Sequence, residues 1–177
     1  ALTVYGGFCL LWGVNFWTDN FQDRSGIYAQ PVAREDLLAV TEYFAAQVSR
    51  TAVSVPRNEN GLFAVSRGEI LEESVRVYDR LEMQFPFLEF EDVGVKAMTF
   101  SRLMSRMDFT GFYCPWTGES SVNVDSPACM LPATVAHELA HQRGIASEQE
   151  CNFLSILAST TSGQAAYAYS GWLTGYI

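Results

Sequence analysis

Only two of the 177 residues are histidine, and Lys and Arg together number 11 against 20 Asp and Glu, a formal charge of −9. No stretch gathers the basic residues into a cluster. The field around such a chain repels phosphate backbones and anionic headgroups, so no nucleic-acid partner is expected. The four cysteines, Cys9, Cys114, Cys129 and Cys151, lack any C-x-x-C spacing, which excludes a zinc ribbon and a thioredoxin-like redox pair. Buried free thiols are the ordinary state for this residue type, and a Cys114–Cys129 bridge stays open for an oxidising compartment. Internal repeats and low-complexity tracts are absent, and the one loop-like stretch of any length is VPRNENG, residues 55 to 61. One domain is therefore expected.

Charge is also missing from the first eighteen residues, ALTVYGGFCLLWGVNFWT. At a rise of 1.5 Å per residue, such a run reaches roughly the thickness of a bilayer core. Residues 1–18 are expected to be either the end of a transmembrane or anchoring helix, with Trp12 and Trp17 near the interface, or an apolar helix of the core. The following TDNFQDR has two Asp and one Arg, which by the positive-inside bias favours the non-cytoplasmic side of a membrane. Residues 19–177 are expected to form a single domain.

Hydrophobic residues make up 49% of the chain and charged ones 18%. Their spacing predicts a helix from Asp36 with the stripe Leu37, Val40, Phe44 and Val48. A second helix, with Leu71, Val75, Tyr78, Leu81 and Phe85, should end before Pro86. A third, near 95 to 107, shows Ala97, Phe100, Met104 and Met107, with the methionines filling core. TGFYCPWTGESSVNVD breaks the helical pattern around a Pro-Trp-Thr-Gly turn and predicts a hairpin over 111–124, the only convincing strand region. Pro132 and Gly144 frame a helix over 131–143, and Ser147 with Glu150 forms a capping box for the next.

Both histidines stand in that framed helix, in PATVAHELAHQRGIASEQECN. His137 and His141 are one turn apart, so their imidazoles share a face and can grip one cation. Glu138 is rotated about 100° from His137, placed to reach a water on that cation rather than the cation itself. H-E-x-x-H thus encodes two ligands and a general base, and Zn2+ suits imidazole and carboxylate donors with an open fourth position. With no histidine left, the third ligand should be Glu148 or Glu150. A Glu150 folded back onto the Ser147 amide would be occupied, which favours Glu148, with Asn152 four residues on as support. ESSVNV could offer an edge to an extended peptide, and Tyr113, Tyr167, Tyr169 and Arg143 are candidate oxyanion stabilisers.

The block PATVAHELAHQRGIASEQECNFLSILA, together with TGFYCPWTGESSVNVD, resembles the bacterial membrane proteins grouped as domain of unknown function 3810. The resemblance implies a zincin-type metallopeptidase domain following N-terminal transmembrane helices. It also implies His137 and His141 as ligands, Glu138 as base and an acidic residue of SEQE as third ligand. E-x-x-C-N is more distantly similar to the E-x-x-A-D or E-x-x-A-N signature of glutamate-ligand zincins, which selects Glu148. The gap of six residues after His141 is shorter than in those proteins and nearer the metzincin spacing, in which Ser147 would hold the last histidine. The expectation is a mostly helical α+β domain of zincin type with a small hairpin or sheet. Its expected function is zinc-dependent hydrolysis of a peptide or protein substrate at the outer face of a bacterial membrane. The alternative is a non-catalytic zinc-binding sensor or interaction module.

Overall fold

The computed structural model describes residues 1–177. It has nine α-helices and a three-stranded sheet: α1 Leu2–Leu11, α2 Phe21–Ser25, α3 Arg34–Ala52, α4 Arg67–Glu73, α5 Asp79–Gln84, β1 Lys96–Ala97, α6 Ser101–Ser105, β2 Gly111–Cys114, β3 Glu119–Val122, α7 Leu131–Gln142, α8 Glu148–Thr161 and α9 Ala165–Tyr176. The mostly helical α+β architecture is as expected. Helix α7 lies at the centre, against β2 and β3, α8, α9 and α4. Its small apolar residues allow that crowding, since Ala133, Val135, Ala136 and Ala140 are all buried and let neighbours come close on their side.

Polar ties fix α7 in register. Tyr78 donates from its hydroxyl to the Ala136 carbonyl at 2.8 Å, Ser120 to the Glu138 carbonyl at 3.0 Å, and the Ala133 amide donates to Ser170 Oγ at 3.0 Å. At its C-terminus Arg143 directs all five guanidinium donors inward. They reach the Leu88 and Leu139 carbonyls, both oxygens of Asp92 and one of Glu82, at 2.6 to 3.1 Å. The guanidinium also lies 3.9 Å from the Tyr78 ring centroid.

The hairpin is where the sequence puts it, with Gly118 at φ +70 in the turn and Gly111 opposite Val122. Two other expectations fail. The stretch 95–107 is not one helix: Lys96 and Ala97 pair in parallel with Ser121 and Val122, and only Ser101–Ser105 is helical. Nor does its expected stripe fill core, because Ala97, Phe100 and Met107 are exposed and Met104 is half-buried, leaving Val95 as its core residue. The helix expected over 71–85 is broken as well. The Ser74 hydroxyl donates to the Leu71 carbonyl at 2.6 Å, a competing bond that loosens the helical ladder. The backbone tightens into a 3₁₀ turn over Ser74–Arg76 before α5 begins. The buried residues Ile70, Ser74, Val77, Tyr78 and Leu81 nevertheless keep helical spacing, while Val75 of the expected stripe is exposed, so a buried face persists but is rotated from the expected one.

Helix α3 forms as predicted but begins two residues earlier, with Asp36 in its first turn rather than at its cap. Only half of its stripe is used. Leu37 and Val40 are exposed, while Phe44 meets Trp172 of α9 edge-on at 5.2 Å. The N-terminal apolar run is a ten-residue helix, α1, followed by a 3₁₀ turn over Gly13–Phe16, and none of these residues is buried. No helix is long and apolar enough to cross a membrane. All four cysteines are free, Cys114 and Cys129 included, and only Cys151 is buried.

Candidate metal centre

The end of α7 sets the geometry of the site. Gly144 adopts φ +80, and the chain closes as a Schellman turn, with Gly144 N–H on the His141 carbonyl at 3.0 Å and Ile145 N–H on the Ala140 carbonyl at 3.3 Å. That reversal aims the Ile145 carbonyl back at the helix, where it sits 2.8 Å from His141 Nδ1. On the next helix, Asn152 Oδ1 lies 2.9 Å from His137 Nδ1. A carbonyl or amide oxygen can only accept, so each imidazole holds its proton on Nδ1 and presents a lone pair on Nε2.

Both Nε2 atoms converge on Glu148, His137 at 3.1 Å from Oε2 and His141 at 3.4 Å from Oε1. Ser147 makes this possible by capping α8, its Oγ accepting from the Glu150 amide. The two rings stand 5.0 Å apart and nearly perpendicular. Burial and the neighbouring His141 hold His137 below the ordinary imidazole range, against the opposing pull of Glu148 and Asn152. Cys151 completes the cluster from behind, its Sγ 3.4 Å from His141 Nδ1, and burial raises its thiol well above the ordinary value. His137, His141 and Cys151 form a group that could hold a metal ion.

Glu138 points toward the sheet. Its carboxyl is pushed up to about 8, by burial first and by the Glu148 charge second, and its Oε2 is buried without a hydrogen-bond partner. Around it opens a cavity of about 380 Å³, walled by Phe8, Trp12, Phe109, Phe112, Tyr113 and the motif itself. Trp12 lies edge-on to His141 at 5.7 Å and against Tyr113 at 5.1 Å. The expectation that ESSVNV supplies a free edge is corrected here, because β3 is the middle strand and is paired on both sides. The open edge belongs to β2. Asn123 N–H bonds the Thr110 carbonyl, so the alternation of an antiparallel ladder turns the amides and carbonyls of Gly111 and Tyr113 outward.

Other candidates fall away on geometry. Glu150 is buried, its carboxylate accepting from the Phe21 and Gln22 amides at the start of α2 at 3.1 and 3.2 Å. The reciprocal half of the capping box is therefore absent. Tyr167 is buried and donates to the Ile70 carbonyl at 2.7 Å, Tyr169 stacks on Phe63, and Arg143 has no donor to spare. Among the four proposed oxyanion stabilisers only Tyr113 lines the cavity. A larger cavity of about 750 Å³ lies between residues 15–20 and the turn after α7, and of the charged groups on its wall Arg24, Arg143 and Glu150 are already engaged, leaving Asp19.

Fold and site together define a helical α+β protein with a metal-capable cluster on its central helix. The chain belongs to the family described as protein of unknown function (DUF3810), whose model matches residues 1–177. That description names no activity, cofactor or location. No curated protein and no solved structure matches the chain.

Proposed function

We propose that this protein is a zinc-dependent peptide hydrolase with Glu138 as its general base. The observation that carries the reading is the fixed orientation of the two imidazoles, each tied at Nδ1 and each turned by Nε2 onto the Glu148 carboxylate. Donors about 2.0–2.1 Å from a tetrahedral zinc lie roughly 3.3 Å from one another, close to the 3.1 and 3.4 Å by which the two imidazoles stand from the two different oxygens of Glu148. Cys151 fits less well as a ligand, since it faces Nδ1, the nitrogen that carries the proton. His137, His141 and Glu148 are thus assigned as the residues that would hold the ion, with Asn152, Ile145 and Cys151 behind them.

When bound, the ion supplies Lewis acidity, polarising a carbonyl and making a water acidic near neutral pH. The chain's own groups do the remainder. With the ion's positive charge beside it to favour the ionised form, Glu138 would take the proton from water on the cavity side and return it to the departing amine. Its unpartnered Oε2 supports this role, because a buried acceptor left unbonded costs about 1–3 kcal/mol and calls for a functional account. The outward amides and carbonyls of Gly111 and Tyr113 would hold an extended substrate as an added strand.

The apolar residues 1–18 are proposed as the membrane-contacting part, at the outer face. Leu2, Val4, Leu10 and Trp17 are exposed on a segment with no charge to solvate it. A non-catalytic metal-binding module is the second reading, favoured by Trp12 standing beside His141 across the cavity.

Metal content by mass spectrometry, followed by turnover of a fluorogenic peptide library, tests the proposal. Wild-type protein should purify with about one zinc per chain, His137→Ala should lose it, and Glu138→Gln should retain it without turnover. A zinc-free wild type overturns the metal site. A Glu138→Gln variant with full turnover overturns the base assignment.

A further inference from the structure

Gly111 sits where strand β2 crosses the active-site helix, and its φ is not in the left-handed region. Backbone conformation therefore does not require glycine there. Space does: a Cβ built on Gly111 would overlap Glu138 Oε1 and lie 2.5 Å from its Cδ and 2.7 Å from its Cγ. A real Cβ is not found at such separations. The contact is specific to this position in the sheet, because Ser120 and Val122, which face α7 from the neighbouring strand, carry full side chains and are completely buried. Glu138 itself is only 4% exposed, so the one space into which its carboxylate can be pushed is the cavity that it lines, away from the slot.

We propose that Gly111 is a positioning residue: the absence of a side chain at this point of the open edge creates the slot that holds the Glu138 carboxylate between α7 and β2. The same residue offers its outward amide and carbonyl to an approaching backbone. One position thereby brings the base and the strand that would hold substrate to within a side chain's width of each other. Adding one methyl group would keep the strand and the metal ligands but move the carboxylate. This inference rests on the reading of Glu138 as general base, although the slot itself can be tested without turnover.

A thermal double-mutant cycle over Gly111→Ala and Glu138→Ala examines the slot. With Glu138 present, Gly111→Ala should lower the melting temperature by a few degrees. In the Glu138→Ala background, where the space is vacated, the same change should be neutral or raise it, since alanine suits a strand better than glycine. Equal shifts in both backgrounds would overturn the slot. If Gly111→Ala alone fails to fold, recovery of folding in the double variant supports it, and failure there too counts against it. The second arm is kinetic. Gly111→Ala should keep its zinc and its KM but lose kcat on the order of 10²-fold, the scale of a displacement of about 1 Å. Retained kcat alongside a coupled thermal cycle would overturn the positioning role and leave the slot. A zinc-loaded wild type that cleaves nothing would instead count against the peptidase reading, and the thermal cycle would still decide the packing claim.

Discussion

Helices α7 and α1 are of similar length and both apolar, yet they have opposite fates. Helix α7 has alanine and valine where neighbours approach, and ten of its twelve residues are buried. Helix α1 is apolar on every side and buries none of its ten residues. Hydrophobicity alone therefore does not make core. What separates the two is periodicity and polar ties: α7 concentrates small residues on packed faces and is bonded to its surroundings by Tyr78, Ser120, Ser170 and Arg143, whereas α1 meets Trp116 at Gly7 and is followed by Trp12 against Tyr113. A helix hydrophobic all round is normally covered by protein or lipid.

The comparison is broken most severely at Arg143. Replacing it with alanine leaves Asp92 and part of Glu82 without their partner in a buried setting, and should cost about 3–5 kcal/mol, read as a fall in melting temperature of roughly 10 °C. Next comes the proton on Glu138 in the metal-free protein. Its folded value of about 8 lies above that of an unfolded glutamate, so the native state binds the extra proton. That stabilisation is fully present below about pH 4.3 and is lost as pH rises through 8. Chelated wild type should therefore lose on the order of 2–4 kcal/mol between pH 5 and 8 relative to Glu138→Gln, measured by urea unfolding. Parallel pH profiles for the two would contradict the burial assigned to this carboxyl.

Removing residues 1–18 sharpens the contrast from the other side. With no buried residue there, stability should fall by no more than about 1–2 kcal/mol, while binding to lipid vesicles, if residues 1–18 are its cause, should disappear. The smallest effect concerns thiols. In the hairpin turn Cys114 is held below its usual value, chiefly by a hydrogen bond with Thr117, while burial raises Cys151. Iodoacetamide should therefore modify Cys114 at least tenfold faster than Cys151 at pH 7.5. A faster Cys151 would mean that α8 opens.

Much of α7 and its surroundings was legible in the sequence because the signals are local. Pro132, Gly144 and Ser147 mark helix ends by their own chemistry, and H-E-x-x-H fixes two imidazoles on one face by spacing alone. The hairpin was likewise readable from its turn. Strand β1 was not: two residues, Lys96 and Ala97, are too few to show alternation, and they pair only because Val122 is brought alongside. Cys151 behind His141, and Glu150 bonded to amides near residue 21, were hidden for the same reason, since each depends on partners that only folding brings near. That Arg143, one of the candidate oxyanion stabilisers, is fully engaged was equally hidden, because its acceptors on Glu82, Leu88, Asp92 and Leu139 come from three separate stretches of chain.

The turn closed by Gly144 has one further consequence. The nitrogen that His141 offers to the cavity is selected by a backbone carbonyl belonging to the helix end itself, and so is settled as soon as the chain folds. An ion arriving later would meet groups already aligned, with little conformational entropy left to surrender. Stripping the ion should then leave amide exchange across α7 almost as slow as before, unlike small zinc domains, which come apart when their metal is taken away.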